Sequence, residues 1–265
     1  MDFRKLITDI FSGNTEDLKK RSSLLGRKLR RGIHSLTSRK LSDEDLANIP
    51  VVINNRNRFT YLRQLIQWLE RCGMKNIIIL DNDSTYPPLL KYYADTKHKV
   101  IFLKHNGGPR SIWLSELTKD YLCDFYIYTD PDVVPNESVG FEAIRAMYDR
   151  LRSDFSIDKI GLALRIDDLP DHFKLKQQVI DWEKQFWNYP LDKTFFRAPV
   201  DTTFALYAPF ARGGGECKAL RTNFPFVAAH LPWYENSDMP NEEDEYYRTH
   251  SAPSDSHWTQ LTSTR

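Results

Sequence analysis

Cysteine is scarce in this chain of 265 residues: there are three, Cys72, Cys123 and Cys217. They are far apart and odd in number, which excludes a small disulfide-built scaffold and fits reduced thiols in a cytosolic setting. No apolar run approaches the roughly 20 residues that a membrane-spanning helix needs. The opening Met1-Asp2-Phe3-Arg4-Lys5 carries no apolar core of the kind a secretory leader has, so a cytoplasmic location is expected. No Lys-Ser or Lys-Thr follows the glycines of Arg212-Gly213-Gly214-Gly215-Glu216, which removes a P-loop. That stretch reads as a mobile surface turn, with closure over a phosphate as the functional alternative. A large charge of one sign is also absent: 37 Lys and Arg meet 36 Asp and Glu. What remains is ordinary for a soluble globular protein, 41% hydrophobic and 28% charged. The length suits one large domain, or one domain with an appendage.

The charge is near zero in sum but not in distribution. Residues 1–40 hold 11 Lys and Arg against 4 Asp and Glu, a surplus of +7, so residues 41–265 carry −6 of the total +1. A basic end on an acidic body suits an anionic surface. Phe3, Leu6, Ile7, Ile10 and Phe11 recur at helical spacing, and Leu18, Leu25 and Leu29 lie among Lys19, Lys20, Arg21, Arg27, Lys28, Arg30 and Arg31. We expect a basic amphipathic helical arm over 1–48, with residues 1–40 in peripheral contact with the inner face of a membrane. The alternative is a helical cap on the main domain or a partly disordered tail. No nucleic-acid partner is expected.

From residue 49 the pattern alternates. Ile49 to Ile53 is a short apolar run that ends in Asn54-Asn55-Arg56-Asn57-Arg58. Tyr61, Leu62, Leu65, Ile66 and Leu69 follow at helical period, and Gly73 is placed to end that helix. Lys75 to Leu80 is a second strand, closed by Asp81-Asn82-Asp83-Ser84-Thr85. A helix should open near Pro87-Pro88. Val100 to Leu103 is a third strand, closed by Asn106-Gly107-Gly108-Pro109, and Ile112, Trp113 and Leu117 mark the next helix. This rhythm predicts an α/β fold with a parallel, doubly wound sheet.

The fourth strand organises the rest. Asp124-Phe125-Tyr126-Ile127-Tyr128-Thr129-Asp130-Pro131-Asp132 is aromatic and β-branched up to its two acids. Pro131 removes a backbone donor, so pairing should stop between the carboxylates. An isolated Asp-x-Asp also fits a solvated turn. Here, however, each of four successive strands ends in a polar or acidic cluster, at the edge where open α/β sheets bind ligands. Paired carboxylates repel unless a cation lies between them, and hard oxygen ligands suit Mg2+ or Mn2+, with phosphate completing the shell.

These runs together, Ile49 to Arg58, Ile79 to Thr85, Asn106 to Arg110 and Tyr128 to Pro135, resemble the family 2 glycosyltransferases and their relatives. The resemblance covers about residues 49–140. It implies a GT-A fold: a Rossmann-like, mixed but mainly parallel sheet flanked by helices. It would give a nucleotide-sugar half over 49–140, an acceptor half over 141–250 and a polar tail over 251–265. It implies donor contacts from Asn54, Arg56, Asp81, Asn106, Arg110 and Asp130 to a UDP- or GDP-sugar. It implies a metal site of Asp130, Asp132 and His230 for Mn2+ or Mg2+, with Asp132 directly on the ion. The activity implied is metal-dependent transfer of a sugar to a hydroxyl of a glycan or lipid-linked acceptor, with inversion, in polysaccharide biosynthesis. Two departures stand out. The second-strand acids read Asp-Asn-Asp where the family often has paired Asp before Gly-Ser, and no Gln-x-x-Arg-Trp signature follows residue 140, which excludes a processive synthase.

The second half is less legible. A helix is expected over 138–151, a strand over 160–166 followed by Asp167-Asp168, and an amphipathic helix over 174–187 with Trp182 and Trp187 in the core. A strand is expected over 200–207, with Asp201 at its mouth, and in Val227 to Tyr234 His230 ends a small-residue apolar run. The resemblance asks for a carboxylate base between the acidic pair and the late histidine, which selects Asp201. Asp167, Asp168, Glu243 and Asp244 compete, and Asp244 matches a Glu-Asp pair that many relatives use. Two rival functions stay open. One is a haloacid-dehalogenase-like phosphohydrolase with Asp130 as nucleophile, although that motif normally follows a first strand. The other is a catalytically dead, membrane-associated binding module.

Overall fold

A computed structural model describes residues 25–34, 37–114, 121–201, 203–213 and 217–250. The chain divides into two compact units, Met1–Arg39 and Lys40–Arg265. In the first, residues 25–34 are helical. Thr37 Oγ1 donates to the Ile33 carbonyl at 2.9 Å and Ser38 Oγ to the His34 carbonyl at 2.6 Å, which satisfies acceptors the helix end leaves open. The apolar spacing at Phe3 to Phe11, the polar tail over 251–265 and Leu117 lie outside the described residues.

The larger unit begins at Lys40, ahead of the residue 49 at which the sequence pattern changes. Its first element, α1 (Asp43–Ala47), opens on a capping box: Asp45 N–H donates to Ser42 Oγ, and Ser42 N–H to Asp45 Oδ2. It is tied to the body by Leu41 N–H, which donates to Tyr148 Oη at 2.7 Å, and by Arg145 Nη1, which donates to the Leu41 carbonyl at 3.0 Å.

The elements that follow are β1 (Val51–Asn55), α2 (Thr60–Arg71), β2 (Ile77–Asp81), α3 (Pro87–Asp95), β3 (Lys99–Phe102), α4 (Ser111–Leu114), β4 (Tyr126–Thr129), β5 (Val133–Pro135), α5 (Phe141–Ser153), β6 (Lys159–Gly161), β7 (Ala163–Leu164), α6 (Lys176–Glu183), β8 (Phe195–Phe196), β9 (Ala205–Tyr207), β10 (Ala219–Thr222), β11 (Val227–His230) and α7 (Glu242–His250). Eight strands form one sheet in the order β3-β2-β1-β4-β9-β6-β10-β8, and β5-β11-β7 form a second. The pairs β1/β2, β2/β3, β1/β4 and β6/β10 are parallel; β9 is antiparallel to both of its neighbours, as is β8 to β10. The sheet is thus mixed and mainly parallel, with helices against it, as the resemblance implies; β8 and β9 depart from the wholly parallel order that the strand–helix rhythm predicts. β1, β2 and β4 are buried at every residue, which is why they read as apolar runs rather than as alternation. α2 buries Tyr61, Leu62, Leu65, Ile66, Trp68 and Leu69. Six such side chains are worth on the order of 10 kcal/mol before the entropy of ordering them is subtracted. Gly73, at φ +77°, takes the left-handed position that lets the chain turn back into β2.

The second half departs from the sequence pattern in four places. The strand expected over 160–166 is split: β6 stays in the large sheet, and the chain crosses at Leu162 into β7 of the small one. Two contacts drive the crossing. Leu162 N–H bonds the Phe204 carbonyl at 2.9 Å, and Ala163 N–H bonds Thr222 Oγ1 at 3.1 Å. Gly161 is required at the crossing, because a Cβ there would meet Val200 Cγ1 at 2.5 Å. The strand expected from Val200 begins only at Ala205. The helix expected over 174–187 ends at Glu183 and continues as a 3-10 turn, Lys184–Trp187. Trp182 is 54% exposed and so is not a core residue; the helix buries Val179 and Glu183 instead. Glu183 is buried because Arg221, itself buried, meets it at 2.7 Å.

Candidate functional site

Strand order places the site. β1 leads through α2 to β2 on one side, whereas β4 returns to the other side of β1. At such a reversal the loops after the two central strands diverge and leave a crevice beyond their carboxyl ends. Into this crevice run Asn54 to Arg58 from β1 and Asp130 to Asp132 from β4. The neighbouring loops carry Asp81 and Asn106 to Arg110.

Three of these loops hold a non-glycine residue in the left-handed region: Asn57 at φ +54°, Asp83 at φ +66° and Lys104 at φ +57°. Asn and Asp visit that region at low cost, Lys at more. The bends are held by side chains. Asn57 Oδ1 accepts from Thr85 N–H and Tyr86 N–H at 2.7 and 3.0 Å. Asn82 Oδ1 accepts from Gly107 N–H at 2.8 Å, and Asn82 Nδ2 donates to the Gly108 carbonyl at 3.1 Å. Asn54 Nδ2 reaches the same carbonyl at 3.3 Å. The first, second and third loops are thereby stitched into one rim. Asn106 Oδ1 closes its own turn on Gly108 N–H at 2.9 Å, and Gly108 sits at φ +71°. Arg110 is exposed beside this turn, and Arg56 is half-buried.

Asp81 is 2% exposed and its carboxylate is already engaged, by Tyr93 Oη at 3.0 Å and Ser84 N–H at 3.1 Å. Burial and the Asp81 charge push the Tyr93 phenol well above its ordinary range, which keeps it a proton donor to Asp81. Asn54, 8% exposed, differs: its Oδ1 is buried and accepts from nothing. Such an atom costs stability unless a ligand meets it.

Pro131 does what it should. β4 ends at Thr129 and pairing resumes only at Val133, now in the small sheet against β11, with Val133 opposite His230. This pairing brings Asp132 and His230 together: Nε2 and Oδ2 are 3.7 Å apart, with 17% and 20% of the two side chains exposed. That gap is longer than a hydrogen bond. The other ring nitrogen, Nδ1, is buried without a partner, and the ring lies against Trp233, 4.6 Å between centroids. Burial lowers the His230 pKa, against the opposing pull of Asp132, and so favours neutral imidazole. Asp130 is half-buried at the end of β4, and its charge is felt by Tyr128, whose phenol burial already raises. Among the described residues no three His, Cys, Asp or Glu side chains gather closely enough to hold an ion unaided, so Asp130 does not close a triad with Asp132 and His230.

The candidate bases fall into different settings. β9 runs antiparallel to β4, with Tyr128 opposite Ala205, so the residues ahead of β9 run out beside the end of β4. Asp201 lies there, exposed, and among the described residues its carboxylate has no hydrogen-bond partner. Its carbonyl is held by the buried Lys159, whose Nζ donates at 2.9 Å. Asp168 is taken up by Tyr234 Oη at 2.6 Å and Arg165 at 3.0 Å, and Asp167 by Arg165 at 2.8 Å. Asp244 is buried against Arg58 at 2.8 Å. Glu243 caps α2, its oxygens accepting from Phe59 N–H at 2.8 Å and Thr60 Oγ1 at 2.7 Å.

Sequence reasoning passed over Arg58 and Glu235. Arg58 lies over the Tyr247 ring at 3.7 Å and, with Asp244, joins the first loop to α7. Glu235 follows the turn after His230. Burial, and then the Asp244 charge, raise its carboxyl to about 8, and its Oε1 has no partner. The signal was weak: Glu235 is one acid in a polar stretch, and Arg58 the last of five polar residues that begin at Asn54, within the end of β1.

No protein-family model and no curated protein matches this chain. Solved structures do. Glucosyl-3-phosphoglycerate synthase from Mycobacterium tuberculosis, crystallised with phosphoglyceric acid, is 13% identical over 64% of this chain and 62% of its own, with a TM-score of 0.40. GalNAc-T7 with UDP, GalNAc and Mn2+ is 13% identical over 71% of this chain and 44% of its own, TM-score 0.45. Residues 1–349 of S. aureus TarS are 15% identical over 76% and 68%, TM-score 0.38. This chain therefore spans less than two thirds of the first two. At these scores no likeness decides what this chain does; its own residues must.

Proposed function

We propose that this chain is a glycosyltransferase that moves a sugar from a nucleoside diphosphate sugar to an acceptor hydroxyl, with Mn2+ or Mg2+ bound. One observation carries the reading: a carboxylate and an imidazole, Asp132 and His230, stand 3.7 Å apart at the carboxyl edge of the sheet, where the strand order reverses. The donor set fits a divalent cation. It offers one hard oxygen and one nitrogen, with Asp130 two residues away and too few protein ligands to complete the shell, which leaves room for diphosphate oxygens. When bound, the ion would offset the negative charge that builds on the diphosphate as the sugar leaves.

The remaining roles belong to the chain's own residues. The unsatisfied Asn54 Oδ1 would accept an N–H of the nucleobase, a polar contact of the kind that orients a ligand. Arg56, Asn106 and Arg110 rim the same crevice, and Asp81 holds the second loop in shape from beneath. Asp201 would take the acceptor proton, since among the described residues it is the candidate carboxylate with no hydrogen bond or ion pair. Direct attack by the acceptor would invert the anomeric centre. A glycan or lipid-linked hydroxyl of surface polysaccharide is the acceptor class we favour, and a cytoplasmic setting the location. Of the described residues, no helix is long and apolar enough to cross a membrane.

The test is release of UDP or GDP from a panel of nucleotide sugars, with and without EDTA. Metal-dependent release that Asp132→Asn and His230→Ala each reduce roughly 100-fold or more supports the reading. Equal release in EDTA would remove the metal from the reading, and phosphate release that beryllium fluoride inhibits and Asp130→Asn abolishes would move the chain to the phosphohydrolase class. Absence of release from every donor would favour a binding module.

A further inference from the structure

A helix on a protein surface normally turns its apolar side inward. The helix over residues 25–34 does the reverse. Its three large apolar residues, Leu25, Leu29 and Ile33, are 61%, 65% and 54% exposed. They are spaced i, i+4, i+8, which at 3.6 residues per turn makes one stripe along one side. At about 100° per residue, Lys28 and Arg30 flank the stripe at similar angles on either side, and Arg27 and Arg31 project away from it. Residues 25–34 contain four Lys and Arg and no acid.

We propose that this face is a membrane-docking surface for anionic lipid, on which Leu25, Leu29 and Ile33 enter the acyl boundary and Lys28 and Arg30 meet the headgroups. The charge chooses the occupant. Aliphatic groups between flanking cations match a surface that is apolar within and anionic at its rim. Long Lys and Arg stems can lie along the apolar side while their charges stay in the headgroup layer. A second copy docked stripe to stripe would bring its own Lys28 and Arg30 against this copy's Lys28 and Arg30 and be repelled. The helix also gains by docking, since it is short and contains Gly26 and Gly32, and helices of that length are marginal in water. The inference stands apart from the reading of the crevice, because it concerns residues that take no part in donor binding.

The test is cosedimentation of the full chain with vesicles of phosphatidylcholine and phosphatidylglycerol at 3:1, and with phosphatidylcholine alone. Binding is expected only to the anionic vesicles, and should weaken at least tenfold in 0.5 M salt. The variant Leu25→Ser/Leu29→Ser/Ile33→Ser should lose at least tenfold in bound fraction with an unchanged melting temperature, as exposed positions allow. Lys28→Gln/Arg30→Gln, which keeps the stripe, should lose binding to a similar degree. Donor hydrolysis in solution should be unchanged in both. No binding by the parent chain, or equal binding by the triple variant, overturns the proposal. So does a loss of self-association in the triple variant with vesicle binding intact, since the stripe would then serve a second copy.

Discussion

The pair Arg58–Asp244 allows a quantitative test of how the crevice is held. Both side chains are almost wholly buried, 6% and 4% exposed, and the contact is 2.8 Å. Arg58 also lies 3.7 Å from the Tyr247 centroid and 5.1 Å from that of Tyr61. The pair joins residues far apart in sequence, so its loss cannot be absorbed locally. Replacing Arg58 by Met keeps much of the volume and strands Asp244, with Glu235 beside it, as buried carboxyls without a cation. Breaking a buried pair from one side costs about 3–5 kcal/mol, and loss of the ring contacts adds about 0.5–2 kcal/mol. For a domain of this size that lowers the melting temperature on the order of 10 °C or more. Arg58→Met/Asp244→Leu removes both charges and should recover at least half of the loss, because no carboxylate then pairs with an absent cation. Urea unfolding followed by tryptophan fluorescence measures both variants against the parent. A single variant within 1 kcal/mol of the parent, or a double variant no better than the worse single, refutes the argument.

Two further outcomes follow from particular carboxyls. Glu235 has a folded-state pKa raised to about 8 from an ordinary 4.5, so the folded protein holds a proton there that the unfolded chain releases. Its contribution to stability is full below about 4.5 and is lost as pH rises through about 8; allowing for partial exposure, the drop between pH 6 and pH 9 should be on the order of 1–2 kcal/mol. Glu235→Gln should remove that slope in guanidinium unfolding, and an unchanged slope would show that another group titrates. Asp201→Asn should cut turnover about 100-fold or more with donor affinity nearly unchanged. If turnover survives there and collapses in a folded Asp244→Asn, the base is Asp244.

What the sequence could and could not show follows from where each signal is written. β1, β2 and β4 were legible because they are central: buried on both faces, they must be continuous apolar runs, and the polar loops that stop them mark the sheet edge, whereas β3, partly exposed at the edge of the sheet, was marked by its short apolar run and the loop after it. Asp130, Asp132 and His230 were legible for the same reason, as polar residues that end such runs. The contact between Asp132 and His230 was not. It depends on β5, three residues long and ending in proline, which no periodicity can announce in so short a piece. β8 and the split between β6 and β7 were hidden likewise, because two- and three-residue strands are defined by their partners. The buried ion pairs are the deepest case. Glu183 and Arg221, or Arg58 and Asp244, look like surface charges until the fold sets them 2.7 and 2.8 Å apart. One such link did leave a local trace. α2 starts after Phe59, which offers no side-chain cap, so its first N–H groups need an acceptor from elsewhere. The acidic start of α7 supplies it through Glu243, 183 residues from Thr60. A helix whose amphipathic pattern is strong and whose cap is missing therefore implies a distant carboxylate, and here that carboxylate adjoins Asp244, which holds the first loop of the crevice through Arg58.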